Sequence, residues 1–589
     1  MAASFSGAAP FGSTSVAHTD EVRRIAALPR RSWTPEDIEK LCDTMTRELK
    51  TPRGTMRLNA VQAIGLYEMM EVGGLFGPQA VGTGKTLLTL LCPLVLEAKR
   101  PILLLPASLI EKTWADRRLY AEHFYLPTNL QFISYESLSL VQNAKRLDYI
   151  LPDLIVADEL HYLANHRSGR GRRVGRYMKE HPETKFVGVS GTVMKKSITE
   201  FGRILRWALK DNAPVPKTDD ELMTWAECLD NGVNPLVRRK PGAMMSLAGT
   251  KPGTPGTLEQ AREVFQKRLL ETRGVVASLN GDDVGCSILV RALEYKLSPL
   301  TEGHFQHVRK LWQTPDGWDF MQAVELRMYL RQLALGFHGI WRPRPPPEWL
   351  NPRKAWHSFA RETLSHSHTL DTPLAVANAI DAGHLDDQGA LDRWRAVEKT
   401  FTINPEPRWH DEAALEAATK WAATEKGIIW VEHRFFGQKL AKTLGTSYYG
   451  PEGLDANDKS IKDDKGGKAI IASVFACKQG FNLQGAFSTN LVTSCPSGSS
   501  ILEQLIGRTH RPGQEADVVT VDIMLGCDAQ MEAFDRAMDG AETAKGILGH
   551  PQKLLLADRT MPDISGRRGH LWGDDGKPCD CATCVGVDR

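Results

Sequence analysis

Five consecutive residues have the types and the spacing of a phosphate-binding loop: Gly82-Thr83-Gly84-Lys85-Thr86. Glycines let a backbone wrap around a phosphate and point its N–H groups at the oxygens. A lysine at this position reaches the β- and γ-phosphates, and the following hydroxyl holds Mg²⁺. We therefore expect Gly82, Thr83, Gly84, Lys85 and Thr86 to bind a nucleoside triphosphate, with Thr86 on the metal. The alternative is a glycine-rich turn that only caps a helix.

A pair of carboxylates, Asp158-Glu159, follows the apolar run 154–157, and His161 lies two residues further along. The carboxyl end of a buried strand is where ligands bind in open α/β sheets. Two carboxylates there suit metal-assisted hydrolysis, with Asp158 holding Mg²⁺ and Glu159 polarising the attacking water. The alternative is a polar strand end that caps the next helix. The phosphate-binding loop upstream favours hydrolysis.

Short apolar runs that alternate with helical patterns supply the elements that would position these residues. They lie at 102–105, 132–135, 154–157 and 186–189, and again at 428–431, 469–472, 489–492 and 518–521. Strands alternating with helices predict parallel sheets with helices on both faces. We therefore predict an α/β fold with two parallel-sheet lobes and a different, mainly helical segment between them.

The same patterns predict the domain boundaries. We expect a flexible N-terminal tail over 1–32, because its start is rich in Ala, Ser and Gly and lacks the apolar core of a signal peptide. Lobe 1 is predicted over 33–240, a helical linker with a proline-rich break over 241–410, and lobe 2 over 411–550. Residues 551–589 are predicted to be a tail.

Composition excludes several classes of protein. The chain has 589 residues, of which 42% are hydrophobic and 24% charged, so wholesale disorder, collagen and coiled coil are excluded. Its net charge of +2 requires any nucleic-acid surface to come from local clusters. The longest apolar run, 87–96, is shorter than the roughly 20 residues that cross a bilayer, which predicts no membrane span. The ten cysteines, mostly single, predict a reducing, cytoplasmic location.

Four residues near the C-terminus have the chemistry of a zinc site. Cys579, Cys581 and Cys584 are closely spaced, and His570 precedes them. Three thiols and one imidazole can hold Zn²⁺ tetrahedrally. The alternative is an exposed terminal cluster without metal.

The phosphate loop and the Asp-Glu-x-His sequence together resemble those of superfamily 2 helicases and translocases. Three further segments of lobe 1 match that superfamily in order. Gln62 resembles the upstream glutamine that reads adenine, and Leu105-Pro106-Ala107-Ser108-Leu109 resembles the first strand-contacting motif, which implies roles for Pro106 and Ser108. Ser190-Gly191-Thr192 resembles the motif that couples hydrolysis to movement.

Lobe 2 carries the remaining motifs. The segment 480–484 resembles the fifth motif, which implies nucleic-acid contact or coupling by Gly480 and Asn482. The segment 504–511 resembles the sixth, which implies that Gln504, Arg508 and Arg511 complete the catalytic site, the two arginines acting like arginine fingers. The alternative for the arginines is surface salt bridging. The ending of 510–514, His-Arg-Pro-Gly-Gln, is similar to that of the Swi/Snf-like branch.

The resemblance implies two RecA-like lobes of the P-loop NTPase class, ATP and Mg²⁺ as cofactors, and an ATPase stimulated by nucleic acid. For the Swi/Snf-like branch it implies translocation along double-stranded DNA, in repair, replication or the remodelling of protein–DNA complexes. Two alternatives stay open: a strand-separating DNA or RNA helicase, and a nucleotide-gated nucleic-acid-binding scaffold with a slow ATPase. The basic stretch 166–179 either contacts phosphates or forms a solvated face. A compact motor without added modules favours a bacterial or phage setting.

Overall fold

Two parallel sheets organise the protein, which we describe from a computed structural model. The structure describes residues 14–80, 82–166, 168–194, 197–230, 233, 237–250, 255–278, 285–311, 313–314, 323–366, 370, 373–402, 404–549 and 551–561. Across these ranges, no helix combines the length and the apolar character that crossing a bilayer requires.

The first sheet has five strands in the order β1-β5-β4-β2-β3, and every neighbouring pair is parallel. Its strands are β1 (Leu75–Pro78), β2 (Pro101–Leu105), β3 (Gln131–Ser134), β4 (Leu154–Asp158) and β5 (Lys185–Ser190). Alternate residues of β2 enter different apolar clusters: Ile102 and Leu104 pack in one, and Leu103 and Leu105 in the other. The sheet is therefore buried on both faces, as its continuous apolar runs predict.

Eleven helices in the described residues accompany this sheet. They are α1 (Asp20–Ala27), α2 (Pro35–Leu49), α3 (Ala60–Val72), α4 (Lys85–Val95), α5 (Ile110–Ala121), α6 (Tyr135–Ser139), α7 (Arg146–Ile150), α8 (Gly169–Glu180), α9 (Thr199–Leu209), α10 (Asp219–Leu229) and α11 (Leu258–Leu270). The start of α2 follows from local sequence: Thr34 and Asp37 form a reciprocal capping box, and Pro35 is the first helical residue.

The second sheet has seven strands in the order β10-β11-β9-β12-β13-β6-β14, again with parallel neighbours. Its strands are β6 (Ser287–Glu294), β9 (Ile428–Val431), β10 (Tyr448–Tyr449), β11 (Ile470–Ser473), β12 (Thr489–Val492), β13 (Val518–Leu525) and β14 (Asp558–Thr560). An antiparallel pair, β7 (Phe337–Trp341) and β8 (Pro405–Trp409), lies between the lobes in sequence.

Ten helices of the described residues belong to this second half. They are α12 (Pro299–Leu311), α13 (Ala323–Ala334), α14 (Pro347–His366), α15 (Pro373–Asp381), α16 (Ala390–Glu398), α17 (Ala413–Thr424), α18 (Arg434–Leu444), α19 (Ser499–Thr509), α20 (Asp528–Leu548) and α21 (Lys553–Leu556). Helices α14 to α16 have their own apolar cluster, which buries Trp349, Trp356 and Trp394.

The predicted fold class is confirmed: the chain is α/β, with two RecA-like parallel-sheet lobes and a mainly helical segment between them. All eight predicted strands are present. The domain boundaries differ from the prediction at three places. Helix α1 buries Val22 and Ile25 in the lobe 1 core, so residues 14–32 are not a tail. Strand β6 and strand β14 both belong to the lobe 2 sheet, although the sequence places them in the linker and the C-terminal tail.

The two lobes touch away from the sheets. Residues Ile547 and Leu548 at the end of α20 pack in the apolar core of lobe 1. Beside them, Gln266 Nε2 of α11 donates a hydrogen bond to the Lys545 carbonyl at 2.6 Å. The last turn of α20, although it follows the lobe 2 sheet in sequence, therefore anchors lobe 2 on lobe 1.

Candidate nucleotide-binding cleft

The predicted phosphate-binding loop joins the end of β1 to the start of α4. Helix α4 begins at Lys85, and Gly82 and Gly84 have φ values of 103° and 78°. These left-handed conformations suit glycine, and they allow the loop to turn sharply into the N-terminus of the helix. The Lys85 ammonium donates hydrogen bonds to the carbonyls of Gln79 at 3.2 Å and Ala80 at 2.7 Å, so it lies over the loop.

The side chains of Asn59, the N-cap of α3, and of Gln62 within α3 donate hydrogen bonds to the backbone of this loop. Asn59 Nδ2 donates to the Thr83 carbonyl and Gln62 Nε2 to the Gly84 carbonyl, both at 3.0 Å. A larger residue at Gly84 would be strained by the φ of 78°, and its Cβ would lie 2.4 Å from Gln62 Nε2 and displace that amide. The structure therefore gives Gln62, predicted to read adenine, a contact with the loop backbone. The capping-box pattern of Asn59 and Gln62 was the available sequence signal for this position.

The predicted carboxylates occupy the carboxyl end of β4. Asp158 is the last residue of the strand and is buried, and its Oδ1 accepts the Glu159 backbone N–H at 3.1 Å. Glu159 has φ 59°, a left-handed conformation that is uncommon for a residue other than glycine. Strand β5 lies between β1 and β4, so the ends of all three strands meet at one edge of the sheet.

A hydrogen-bonded network connects the second carboxylate to the predicted coupling motif. Ser190 Oγ donates to Glu159 Oε2 at 2.8 Å. His161 Nδ1 lies 3.2 Å from the same carboxylate oxygen, 3.0 Å from Ser190 Oγ and 3.2 Å from Thr192 Oγ1. Gly191 lies between these two hydroxyl residues in sequence. Two motifs about thirty residues apart in sequence thus act on one carboxylate.

The surroundings of the two carboxyl groups shift their pKa values in opposite directions. Burial, followed by the negative charge of Glu159, raises the pKa of Asp158. Burial also acts to raise the pKa of Glu159, but the hydrogen bond and charge of His161, with smaller effects of Lys85 and Ser190, hold that pKa well below its ordinary value. The pair therefore carries its first negative charge on Glu159, the residue predicted to polarise water.

The residues predicted for Mg²⁺ fit a divalent cation. Thr86 is the second residue of α4, and Asp158 ends β4 at the same edge of the sheet. A hydroxyl and a carboxylate are the oxygen donors that Mg²⁺ takes beside substrate phosphates. The zinc prediction for His570, Cys579, Cys581 and Cys584 falls outside the described residues and stays a prediction. Within the described residues, no three or more metal-ligating side chains form another candidate site.

The sixth motif in lobe 2 lies on helix α19 and its C-terminal turn. Arg508 is buried and donates from Nε to the Gln504 carbonyl at 3.1 Å and from Nη1 to the Phe481 carbonyl at 3.2 Å. Burial, followed by the charge of Arg508, lowers the pKa of Arg511 to about 10. Gln504 Oε1 is buried without a hydrogen-bond partner in the described part of the chain, as expected of a group that awaits a ligand.

The fifth motif meets both the sixth motif and lobe 1. Gly480 has φ 72°, and the next carbonyl, that of Phe481, accepts from Arg508. From lobe 1, Lys112 Nζ donates to the Gly480 carbonyl at 3.2 Å. Sequence reasoning missed Lys112, although a cation soon after the first strand-contacting motif was a visible signal.

Two predicted nucleic-acid residues are exposed, one on each lobe. Ser108 lies in the short turn that follows β2, next to buried Pro106, and Asn482 follows the Gly480 junction. Most of the predicted basic face instead stabilises the fold. Arg170 Nε donates to the Tyr162 carbonyl at 2.7 Å, and Arg173 is 2% exposed and donates to the Leu140 carbonyl at 2.6 Å.

No family model matches the chain, and no curated protein matches it. Among solved structures, the chain is similar to the Hef helicase domain of Pyrococcus furiosus, with 11% sequence identity and a TM-score of 0.37. The alignment covers 81% of this chain and 97% of that domain. A TM-score of this size does not establish a shared fold, so the fold class follows from the two parallel sheets themselves.

Proposed function

We propose that this chain is an ATP-hydrolysing motor of superfamily 2 that acts on nucleic acid. The observation that carries the proposal is the network of Glu159, His161, Ser190 and Thr192 beside the phosphate-binding loop. It connects the carboxylate that would polarise water to the segment that would couple hydrolysis to movement. A glycine-rich turn that only caps a helix would need no such network.

Each group at the cleft has a defined task in this proposal. The loop N–H groups and Lys85 would bind the triphosphate of ATP. Thr86 and Asp158 would hold Mg²⁺, which when bound neutralises charge on the phosphate oxygens. Glu159 would orient and polarise the attacking water, its carboxylate held in place by His161 and Ser190.

Lobe 2 supplies the groups that would make turnover depend on the position of the lobes. Arg508 and Arg511 would stabilise the charge that develops on the transferred phosphoryl group. A site shared by two lobes hydrolyses fastest when the cleft closes, and closure moves one lobe relative to the other. Gln504, on the same helix as Arg508, has a buried oxygen that no described residue pairs with and that a ligand or water would satisfy.

We propose that the nucleic acid along which the protein moves is double-stranded DNA in the cytoplasm, and that it is bound through its phosphates rather than through base edges. The sequence similarity of 510–514 to the Swi/Snf-like branch supports this choice. The exposed positions of Ser108 on lobe 1 and Asn482 on lobe 2 support contact with one strand from both lobes. Motion of the lobes would then move the duplex stepwise, without separating its strands.

The test is steady-state ATP hydrolysis without nucleic acid and with duplex DNA, single-stranded DNA or RNA, using Lys85→Ala as the control. The proposal expects strong stimulation by duplex DNA that Lys85→Ala abolishes. Stimulation mainly by single strands or RNA would favour a strand-separating helicase. Slow turnover with DNA affinity that depends on nucleotide would favour a gated scaffold. ATP hydrolysis that no nucleic acid stimulates would refute the proposed motor function.

A further inference from the structure

Two consecutive carbonyls of the loop 480–483 each accept a hydrogen bond from a cationic side chain, one from each lobe. Lys112 Nζ, on α5 of lobe 1, donates to the Gly480 carbonyl at 3.2 Å. Arg508 Nη1, on α19 of lobe 2, donates to the Phe481 carbonyl at 3.2 Å. A cation of lobe 1 and an arginine of the proposed catalytic site thus bind the carbonyls of two adjacent residues.

The loop is also fixed by contacts on either side of these carbonyls. A Cβ at Gly480 would lie 2.9 Å from Leu109 Cδ2, so lobe 1 is in close contact with this loop. On the other side, the Leu483 backbone N–H donates to the Arg508 carbonyl at 3.1 Å. A shift of the loop therefore cannot occur without disturbing Arg508.

Lys112 shares its surroundings with the charged groups of the cleft. As a residue it is exposed, but its ammonium group loses hydration to the protein atoms around it, and this lowers its pKa. Asp116 opposes that effect, Arg511 and Arg508 add to it, and Asp158 opposes it. Arg511 and Arg508 repel this ammonium group, whereas Asp116 and Asp158 attract it, and its hydrogen bond to the Gly480 carbonyl fixes it on the loop.

We infer that Lys112 is a positioning residue for the proposed ATPase: its ammonium group holds the loop 480–483 against lobe 1 and thereby sets the place of Arg508. The inference rests on the proposed function for the effect on hydrolysis. The ordering of the loop by Lys112 is a property of the ligand-free protein.

Three variants of the full chain test this inference. Lys112→Met removes the donor and keeps the stem, Lys112→Arg restores a donor, and Lys40→Met on the exposed face of α2 is the matched control. The first readout is amide hydrogen exchange over residues 480–487 without nucleotide. The second is steady-state ATP hydrolysis with saturating duplex DNA, resolved into kcat and KM for ATP.

We expect Lys112→Met to speed exchange over 480–487 and to lower kcat about tenfold, since small displacements of a catalytic group are costly, with little change in KM. Lys112→Arg should restore most of the slow exchange and most of kcat, and Lys40→Met should match the wild type in both measurements. Unchanged exchange in Lys112→Met would overturn the inference, as would faster exchange with unchanged kcat. A wild-type chain that hydrolyses no ATP would refute the proposed function instead, and the exchange result would still decide whether Lys112 orders the loop.

Discussion

The two halves of the cleft are built differently. In lobe 1, side chains hold one another: Ser190 and His161 contact the Glu159 carboxylate, and Thr192 contacts His161. In lobe 2, Arg508 is held by backbone carbonyls, and one of these belongs to a loop that lobe 1 also contacts. Lobe 1 is thus organised by itself, whereas the position of the lobe 2 arginine depends on the contact between the lobes. Under the proposed function, lobe 1 would fix the chemistry and lobe 2 would make it conditional.

The largest effect should come from removing a lobe 2 arginine. We expect Arg511→Ala to lower kcat by about 10³, because an arginine that stabilises the developing charge contributes a factor of that order, with little change in KM for ATP. Lys442→Ala, which removes an exposed cation of the same lobe, is the control. A kcat for Arg511→Ala within about tenfold of wild type would assign the arginine to surface pairing instead.

The lobe 1 carboxylate should have the next largest effect. Glu159→Gln keeps the shape and the acceptor oxygen but removes the charge, so we expect a loss of about 10² in kcat with ATP binding retained. Binding can be followed with a fluorescent ATP analogue. Equal losses of binding and turnover would show that Glu159 maintains the loop rather than polarising water.

A smaller loss should follow from Ser190→Ala. This change removes the donor to Glu159 Oε2 and a partner of His161, so we expect about a tenfold fall in kcat from loss of orientation. Thr192→Val, which removes the hydroxyl on the other side of His161, should cost less, because the Thr192 hydroxyl contacts the imidazole, whereas that of Ser190 donates to the carboxylate itself. The reverse ranking would contradict the placement of Ser190 at the carboxylate.

The smallest predicted effect is on stability at acidic pH, which should change differently in the two lobes. At the end of β8, which packs on lobe 2, burial, with the charges of His304 and His338, lowers the pKa of His410 to about 4. In lobe 2 itself, burial lowers the pKa of His433 to about 4. Their stabilisation is present above about pH 6.5 and is lost as pH falls toward 4. In lobe 1, burial raises the pKa of Asp230 to about 6, so its stabilisation is greatest at low pH and is lost as pH rises through 6.

Acidification from about pH 7 to about pH 5 should therefore weaken lobe 2 relative to lobe 1. Residue-resolved hydrogen exchange at the two pH values measures this, after correction for the intrinsic exchange rate. His433→Gln, which removes one titrating group, should reduce the difference between the lobes. An equal change in both lobes would show that other groups dominate.

Local patterns predicted much of this molecule. The eight apolar runs are strands because both faces of each sheet are covered, and a continuous apolar run is what such burial requires. Strand β1 was harder to predict because Gly77 and Pro78 interrupt its four residues. Strand β14 is polar and exposed, so no hydrophobic pattern marks it. Its place depends on pairing with β6, which is remote in sequence.

In the candidate site, too, local patterns could be predicted from the sequence and contacts between remote segments could not. The loop glycines and the carboxylate pair could be predicted because their spacing is local. The contact of Gln62 with the loop and that of Lys112 with Gly480 could not, because each joins separate elements; the second spans 368 residues. The arginines of α8 show the converse, since a basic run that could have been a phosphate-binding face instead donates hydrogen bonds to carbonyls of neighbouring turns.

The most direct test of a site shared by two lobes is ATP turnover with duplex DNA in three proteins: wild type, Lys85→Ala in lobe 1 and Arg511→Ala in lobe 2. The shared site predicts Mg²⁺-dependent turnover in the wild type and its loss in both variants, with ATP binding lost only in Lys85→Ala. Turnover that survives in Arg511→Ala would contradict a shared site and confine the chemistry to lobe 1.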